Sequence, residues 1–246
     1  MSDTTMSNAP IPTQDIAIVL VRPRYPENIG SAARAMMNMG FSELILVNPL
    51  EPDQERMRKT ATHHAAGIID TLTVHDNLDD ALKPFTFVAA TTTRKGKKRQ
   101  GLITPQSLVE RVGALSPDDK VAILFGSEDK GLTNDELRLA DALVSIPTMD
   151  FSSINLAQSV MILCYELSRR QPTGEKSALR LANKQEVGKV HEAIEELLMA
   201  IELHNPENPD HWPARFRNLL SRAGLRAGDT ALVLDFIGKT LKKLRG

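Results

Sequence analysis

A single cysteine, Cys164, stands among the 246 residues, which excludes an internal disulfide framework and a cysteine-rich zinc site. Long apolar runs are missing as well. No stretch approaches the roughly 18 consecutive apolar residues of a spanning helix, so no membrane protein is expected. The opening MSDTTMSNAPIPTQD has neither a basic n-region nor an apolar core, so no secretory signal is expected and the cytoplasm is the expected compartment. The six histidines (63, 64, 75, 191, 204 and 211) form no HExxH pair and have no partner cysteines, so no metal site is expected. Neither G-x-G-x-x-G, G-x-x-x-x-G-K-[ST] nor G-x-S-x-G occurs. A dinucleotide fingerprint, a P-loop and a hydrolase nucleophile elbow are thereby set aside.

Charge is nearly balanced overall, at −1, but unevenly spread. Residues 211–246 hold eight Lys/Arg against two acids, a local +6, and Arg94–Arg99 holds five cations without an acid. Such clusters suit a polyanion and equally suit a solvated face.

Six apolar, β-branched runs alternate with helical patterns: IAIVLV (16–21), ELILVNP (43–49), TLTVH (71–75), FTFVAATTT (85–93), VAILFG (121–126) and ALVSIP (142–147). Helix-like stretches lie near 28–39, 53–66, 77–83, 105–114, 134–141 and 153–170. The pattern predicts an α/β fold, a mostly parallel sheet with helices on both faces. Ligands of such folds bind at the carboxyl ends of the strands. Three segments are expected: a flexible tail over 1–15, the α/β domain over 16–170 and, past the Gln171–Glu175 linker, a small helical extension over 176–246. Helices are expected there near 183–203, 214–223 and 228–244. The stretch 153–170 is apolar around most of its circumference, which implies a deep central position or a subunit interface.

Three short segments follow strand ends. In Glu27–Arg34 (ENIGSAAR), Asn28 is a candidate helix cap, Gly30 admits a close approach, and Ser31 and Arg34 share a helical face. In Phe125–Leu132 (FGSEDKGL), two glycines flank an acidic turn. In Phe151–Ala157 (FSSINLA), Ser152 or Ser153 is a candidate N-cap, while a cap alone leaves Asn155 unexplained. Each segment by itself also fits an ordinary cap or turn.

Taken in order, the three resemble the signature motifs of the SPOUT class of RNA methyltransferases, in its TrmH-like branch of ribose 2′-O-methyltransferases. The resemblance covers about residues 15–170. The stretches VLVRPRYPENIGSAARAMMNMGF, LVNPL and LTNDEL, with the basic helical tail, are most similar to a bacterial subfamily that methylates a pyrimidine at position 32 of the tRNA anticodon loop. The resemblance implies a C-terminal trefoil knot, S-adenosylmethionine as cofactor, tRNA as partner, no metal, and a homodimer paired through 28–39 and 153–170. It places the cofactor on Thr91, Thr92 and Thr93, on Gly126, and on Ile146 with Ser152, Ser153 and Ile154. Ala90 stands where the family usually has glycine. Arg34 matches the arginine assigned to catalysis, and Asn28, Glu128, Ser153 and Asn155 match residues that shape the site. A guanidinium is effectively always protonated, so Arg34 is expected to stabilise charge on the 2′-oxygen while another group or water takes the proton. The same chemistry on ribosomal RNA or another tRNA nucleotide, and an inactive RNA-binding module, are the competing readings.

Overall fold

The computed structural model describes residues 15–93, 101–149, 153–169, 179–203, 207–209 and 211–245, without the side chains of 218, 221 and 222. The cluster Arg94–Arg99, Ser152, the Gln171–Glu175 linker and nearly all of the N-terminal tail lie outside those residues.

Seven strands form one sheet: β1 (Ile16–Val21), β2 (Leu44–Val47), β3 (Thr73–His75), β4 (Phe87–Thr91), β5 (Leu102–Ile103), β6 (Val121–Phe125) and β7 (Ala142–Val144). All pairs are parallel, in the order β3-β2-β1-β6-β4-β7-β5. β1 shows why the runs are apolar throughout. Ile16, Ile18 and Leu20 face one core layer, Ala17, Val19 and Val21 face the other, and all six are buried. Withdrawing each large aliphatic side chain from water contributes about 1.5–3 kcal/mol.

One face of the sheet is covered by α1 (Pro26–Asn38), α2 (Gln54–Thr71), α4 (Pro105–Gly113) and α6 (Leu156–Ser168). The other face is covered by α3 (Leu78–Leu82) and α5 (Asn134–Arg138). Both faces are therefore helical, as the sequence implies. The α6 helix wedges against α1 and α4, burying Leu156, Val160, Leu163, Cys164 and Leu167. Its opposite side exposes Tyr165, so the helix is central on one side only.

Three local features differ from expectation. The short edge strand β5 has no counterpart among the six runs. Helix α1 starts at Pro26, whose fixed φ suits the first helical turn, with Tyr25 rather than Asn28 as N-cap. Helix α6 is capped by Asn155, not by Ser152 or Ser153: Asn155 Oδ1 accepts the amides of Ala157 (2.9 Å) and Gln158 (3.4 Å).

The helical extension has a core of its own. α7 (Lys184–Ala200), α8 (His211–Ala223) and α9 (Ala227–Leu244) bury Val190, Ile194, Leu198, Ile237 and Leu241, with Trp212 and Phe216 packed against them. Its anchor is at the amino ends of the strands. Lys184 Nζ meets both oxygens of Asp141 at 2.7 Å, the Leu181 amide donates to Asp119 Oδ1 (2.8 Å), and the Lys184 amide donates to the Phe85 carbonyl (3.0 Å).

No helix is long and apolar enough to cross a membrane among the described residues.

Candidate active site

The candidate residues converge at the carboxyl ends of β1, β4, β6 and β7. Neighbouring strands bring them together, because β6 lies between β1 and β4, and β7 lies beside β4.

The loop after β6 is a tight hairpin. The Gly131 amide donates to the Ser127 carbonyl at 2.8 Å, and Gly131 adopts φ 65°. Gly126 sits on the inside of this turn. A Cβ there would lie 2.1 Å from the Gly131 carbonyl carbon and 2.2 Å from the Leu132 nitrogen. The close approach that requires glycine at 126 is thus by the loop's own backbone. Gly30 is explained similarly: its missing Cβ leaves room for the Met57 carbonyl of α2, which would be only 1.9 Å away.

Glu128, at the hairpin tip, fastens this loop to the β1–α1 turn. Its Oε2 accepts the Arg24 amide (2.9 Å), and its Oε1 accepts Asn28 Nδ2 (2.8 Å) and the Tyr25 amide (3.4 Å). Asn28 Oδ1 in turn accepts Asn155 Nδ2 at 3.2 Å. Asn28, Glu128 and Asn155, named from three separate motifs, therefore form one hydrogen-bonded chain. Beside it the Arg24 guanidinium pairs with Asp129 at 2.5 Å. The hydrogen bond and charge of Asp129 raise the arginine above its ordinary pKa. Both side chains are about 40% exposed, so solvent screens the pair.

On the other side, the Thr91 hydroxyl donates to the Leu124 carbonyl (2.9 Å) and the Thr92 amide to the Val144 carbonyl (2.9 Å). These two threonines stitch β4 to its neighbours, while Thr93 is exposed. Gly126, Ile146 and Ile154 are half-buried along the same edge, and Ser153 is exposed. Three adjacent strand ends thus present an apolar side chain, a glycine backbone and hydroxyls in one place. That mixture of groups fits an adenosine-bearing ligand.

Arg34 is not hydrogen-bonded to this chain of side chains. It lies six residues beyond Asn28, about 240° further round the helix at 100° per residue. It is exposed and has no hydrogen-bond or ion-pair partner among the described residues. Arg22, Arg24, Asp129 and Glu136 also shape this edge and were not among the expected site residues. The pairings of Arg22 with Glu136 and of Arg24 with Asp129 span more than 100 positions, so no local spacing marks them.

Comparison with known proteins agrees with this architecture. The family model described as the SpoU rRNA methylase family matches residues 15–165. The uncharacterized tRNA/rRNA methyltransferase LasT of Escherichia coli K12 is 42% identical over 155 residues, 62% of this chain and 68% of LasT. The tRNA (cytidine/uridine/adenosine-2′-O-)-methyltransferase TrmJ of Pseudomonas aeruginosa is 32% identical, over 94% of this chain and 95% of its own. The crystal structure of TrmJ from Zymomonas mobilis ZM4 superposes with a TM-score of 0.78 at 29% identity, covering 91% of this chain and 98% of that one. With strand order, fastened motifs and family match in agreement, the chain belongs to the SpoU rRNA methylase family.

Proposed function

We propose that this protein is a tRNA ribose methyltransferase that uses S-adenosylmethionine and acts as a homodimer. Its substrate would be the 2′-hydroxyl of a pyrimidine at position 32 of the anticodon loop. The observation that carries the proposal is the Asn28–Glu128–Asn155 chain at the strand ends. It supports the reading by keeping three family motifs intact and mutually bonded. The likeness to the TrmJ proteins over nearly the whole chain favours tRNA over ribosomal RNA.

Gly126, Ile146, Ser152–Ile154 and the Thr91–Thr93 segment would hold the cofactor. When bound, S-adenosylmethionine supplies a methyl group already activated by its sulfonium. Glu128 acts as a fastener, since both its oxygens are already occupied by N–H donors. Arg34, whose exposed guanidinium has no partner among the described residues, would stabilise negative charge developing on the ribose 2′-oxygen. The 2′-proton passes to a second group or to water. Two copies would pair through α1 and α6, and the exposed side chains of Met37 and Tyr165 support that reading. A trefoil knot belongs to the same proposal; the laying of β6 between β1 and β4, and of β7 between β4 and β5, is compatible with it.

Mapping 2′-O-methyl groups in total tRNA and ribosomal RNA incubated with the protein and cofactor tests the reaction. Modification at position 32 of tRNA is expected; modification of ribosomal RNA alone would refute the substrate. Arg34→Ala should abolish transfer with unchanged cofactor affinity, whereas near-normal turnover would remove Arg34 from the mechanism.

A further inference from the structure

We propose that Arg22 is a positioning residue that sets where the 126–132 loop lies over the cofactor edge, an inference that rests on the cofactor reading above. Arg22 is the first residue past β1, and its amide still donates to the Val47 carbonyl (2.8 Å). Its backbone is therefore fixed to the end of β2. Its φ of 52° lies in the left-handed region, which a long side chain rarely adopts. That turn aims the guanidinium across the end of β1 toward the loop of the neighbouring strand β6.

There the planar fork grips two things at once. Nη1 and Nη2 take the two carboxylate oxygens of Glu136 (Nη2 to Oε2, 3.0 Å), and Nη2 also reaches the Gly131 carbonyl at 3.4 Å. Glu136 is itself held, because its Oε2 accepts the Thr133 amide (2.7 Å) in the capping box of α5. The two side chains are 33% and 14% exposed, so this pair is less screened than Arg24–Asp129. Gly131 is the residue whose backbone presses on Gly126. Arg22 thus pins from outside the turn whose inner wall is the candidate cofactor glycine. Glu128 holds the loop at its tip, and Arg22 holds it at its base.

Lysine at 22 would keep the charge but lose the two-pronged geometry. The test compares full-length wild type, Arg22→Ala, Arg22→Lys and Glu136→Gln. Two readouts are needed: amide hydrogen exchange across 126–132, and steady-state KM values for S-adenosylmethionine and tRNA. In Arg22→Ala, loop exchange should quicken and the cofactor KM should rise, each by about tenfold, as for one lost charge-assisted contact. The tRNA KM should stay unchanged, and Arg22→Lys should be intermediate. Unchanged exchange in Arg22→Ala overturns the proposal whatever the protein binds. Faster exchange with an unchanged cofactor KM overturns it too, because the latch would then be structural only. If wild type fails to bind S-adenosylmethionine, the cofactor reading falls with the cofactor part of this one, and loop exchange still decides whether Arg22 holds the loop.

Discussion

Asn155 donates from Nδ2 to Oδ1 of Asn28 at 3.2 Å, joining the cap of α6 to the first turn of α1 across 127 residues of sequence. Asn28 gives as well as receives, since its Nδ2 donates to Glu128. Only a side-chain amide of this length fills both roles in that position. A carboxylate has no proton to offer Glu128, and an aliphatic residue has neither group.

Asn28→Asp should therefore be worse than the loss of one hydrogen bond, because it sets two carboxylates at the 2.8 Å spacing now spanned by the amide. Methyl transfer should fall by on the order of a hundredfold, equivalent to about 3 kcal/mol. Incorporation of labelled methyl groups into tRNA measures it. Turnover within a few-fold of wild type would mean that the fastening does not matter to the reaction.

The two glycines of the 126–132 hairpin should respond oppositely to alanine. At Gly126 the added carbon meets main-chain atoms at 2.1–2.2 Å, which cannot move aside without opening the turn. Gly126→Ala should abolish cofactor binding by deforming the loop. At Gly131 nothing lies within 4 Å of an added Cβ, and only its φ of 65° opposes the change. Gly131→Ala should cost about 1 kcal/mol of stability and leave binding measurable. Calorimetric titration and thermal melts of the pair separate the cases, and equal behaviour would refute the assignment.

His191 of α7 makes the helical extension sensitive to acid. Burial lowers its pKa below the ordinary value of 6.5, and the nearby cations Arg217 and Lys184 lower it further. Its buried Nε2 has no partner among the described residues. The unfolded chain takes up the proton first, so stability is full above about pH 6.5 and declines as pH falls below it. His191→Phe should weaken that decline. Melting temperatures at pH 7.5 and 5.5 check it, and an identical drop in both proteins would show that another group is responsible.

Much of this was legible in the residues, and the reasons are physical. Strands such as β1 and β6 are continuous apolar runs because both faces are covered, and that signal is local. The carboxyl-end placement of Asn28, Glu128 and Asn155 followed from motif order. What stayed hidden depends on contacts between distant segments. Thr62 breaks α2 with φ 63°, and Arg58 pairs with Asp70 across the break, though the local pattern reads as helix. Asn155 has no role that the apolar pattern of α6 explains; its cap on that helix and its bond to Asn28 both depend on the folded geometry. The Arg22–Glu136 grip spans 114 positions and leaves no periodic trace. The need for glycine at 126 also comes from a tertiary contact, the Gly131 and Leu132 backbone against its Cα, which the local sequence does not display.

The basic tail now yields a sharper prediction than its charge count alone. Among the described residues, Arg217 pairs with Glu195 (2.9 Å), Lys239 with Asp235 (2.7 Å) and Arg245 with Glu196 (2.5 Å), while Arg226 donates to the Leu179 carbonyl and Arg215 lies over the Trp212 ring. Lys242 and Lys243 are exposed at the end of α9 and form no ion pair among the described residues. They are the better candidates for phosphate contacts. Yet the extension is anchored at the amino ends of the strands, through Asp141, Asp119 and Phe85, while the candidate site lies at the carboxyl ends. At about 3.3 Å per residue, a five-residue strand separates the two edges by roughly 15 Å. Within one chain, the tail should therefore meet a part of the tRNA remote from the nucleotide being methylated. Lys242→Gln with Lys243→Gln should lower the log–log salt slope for intact tRNA by about 1.4 to 1.8, at 0.7–0.9 per phosphate contact. Affinity at moderate salt should fall by roughly tenfold, while an isolated anticodon stem-loop should bind with an unchanged slope. Anisotropy titrations over a range of salt concentrations give all four slopes. Equal slopes on intact tRNA would mean that these lysines only solvate the surface, and an equal loss on the stem-loop would place the tail beside the anticodon instead.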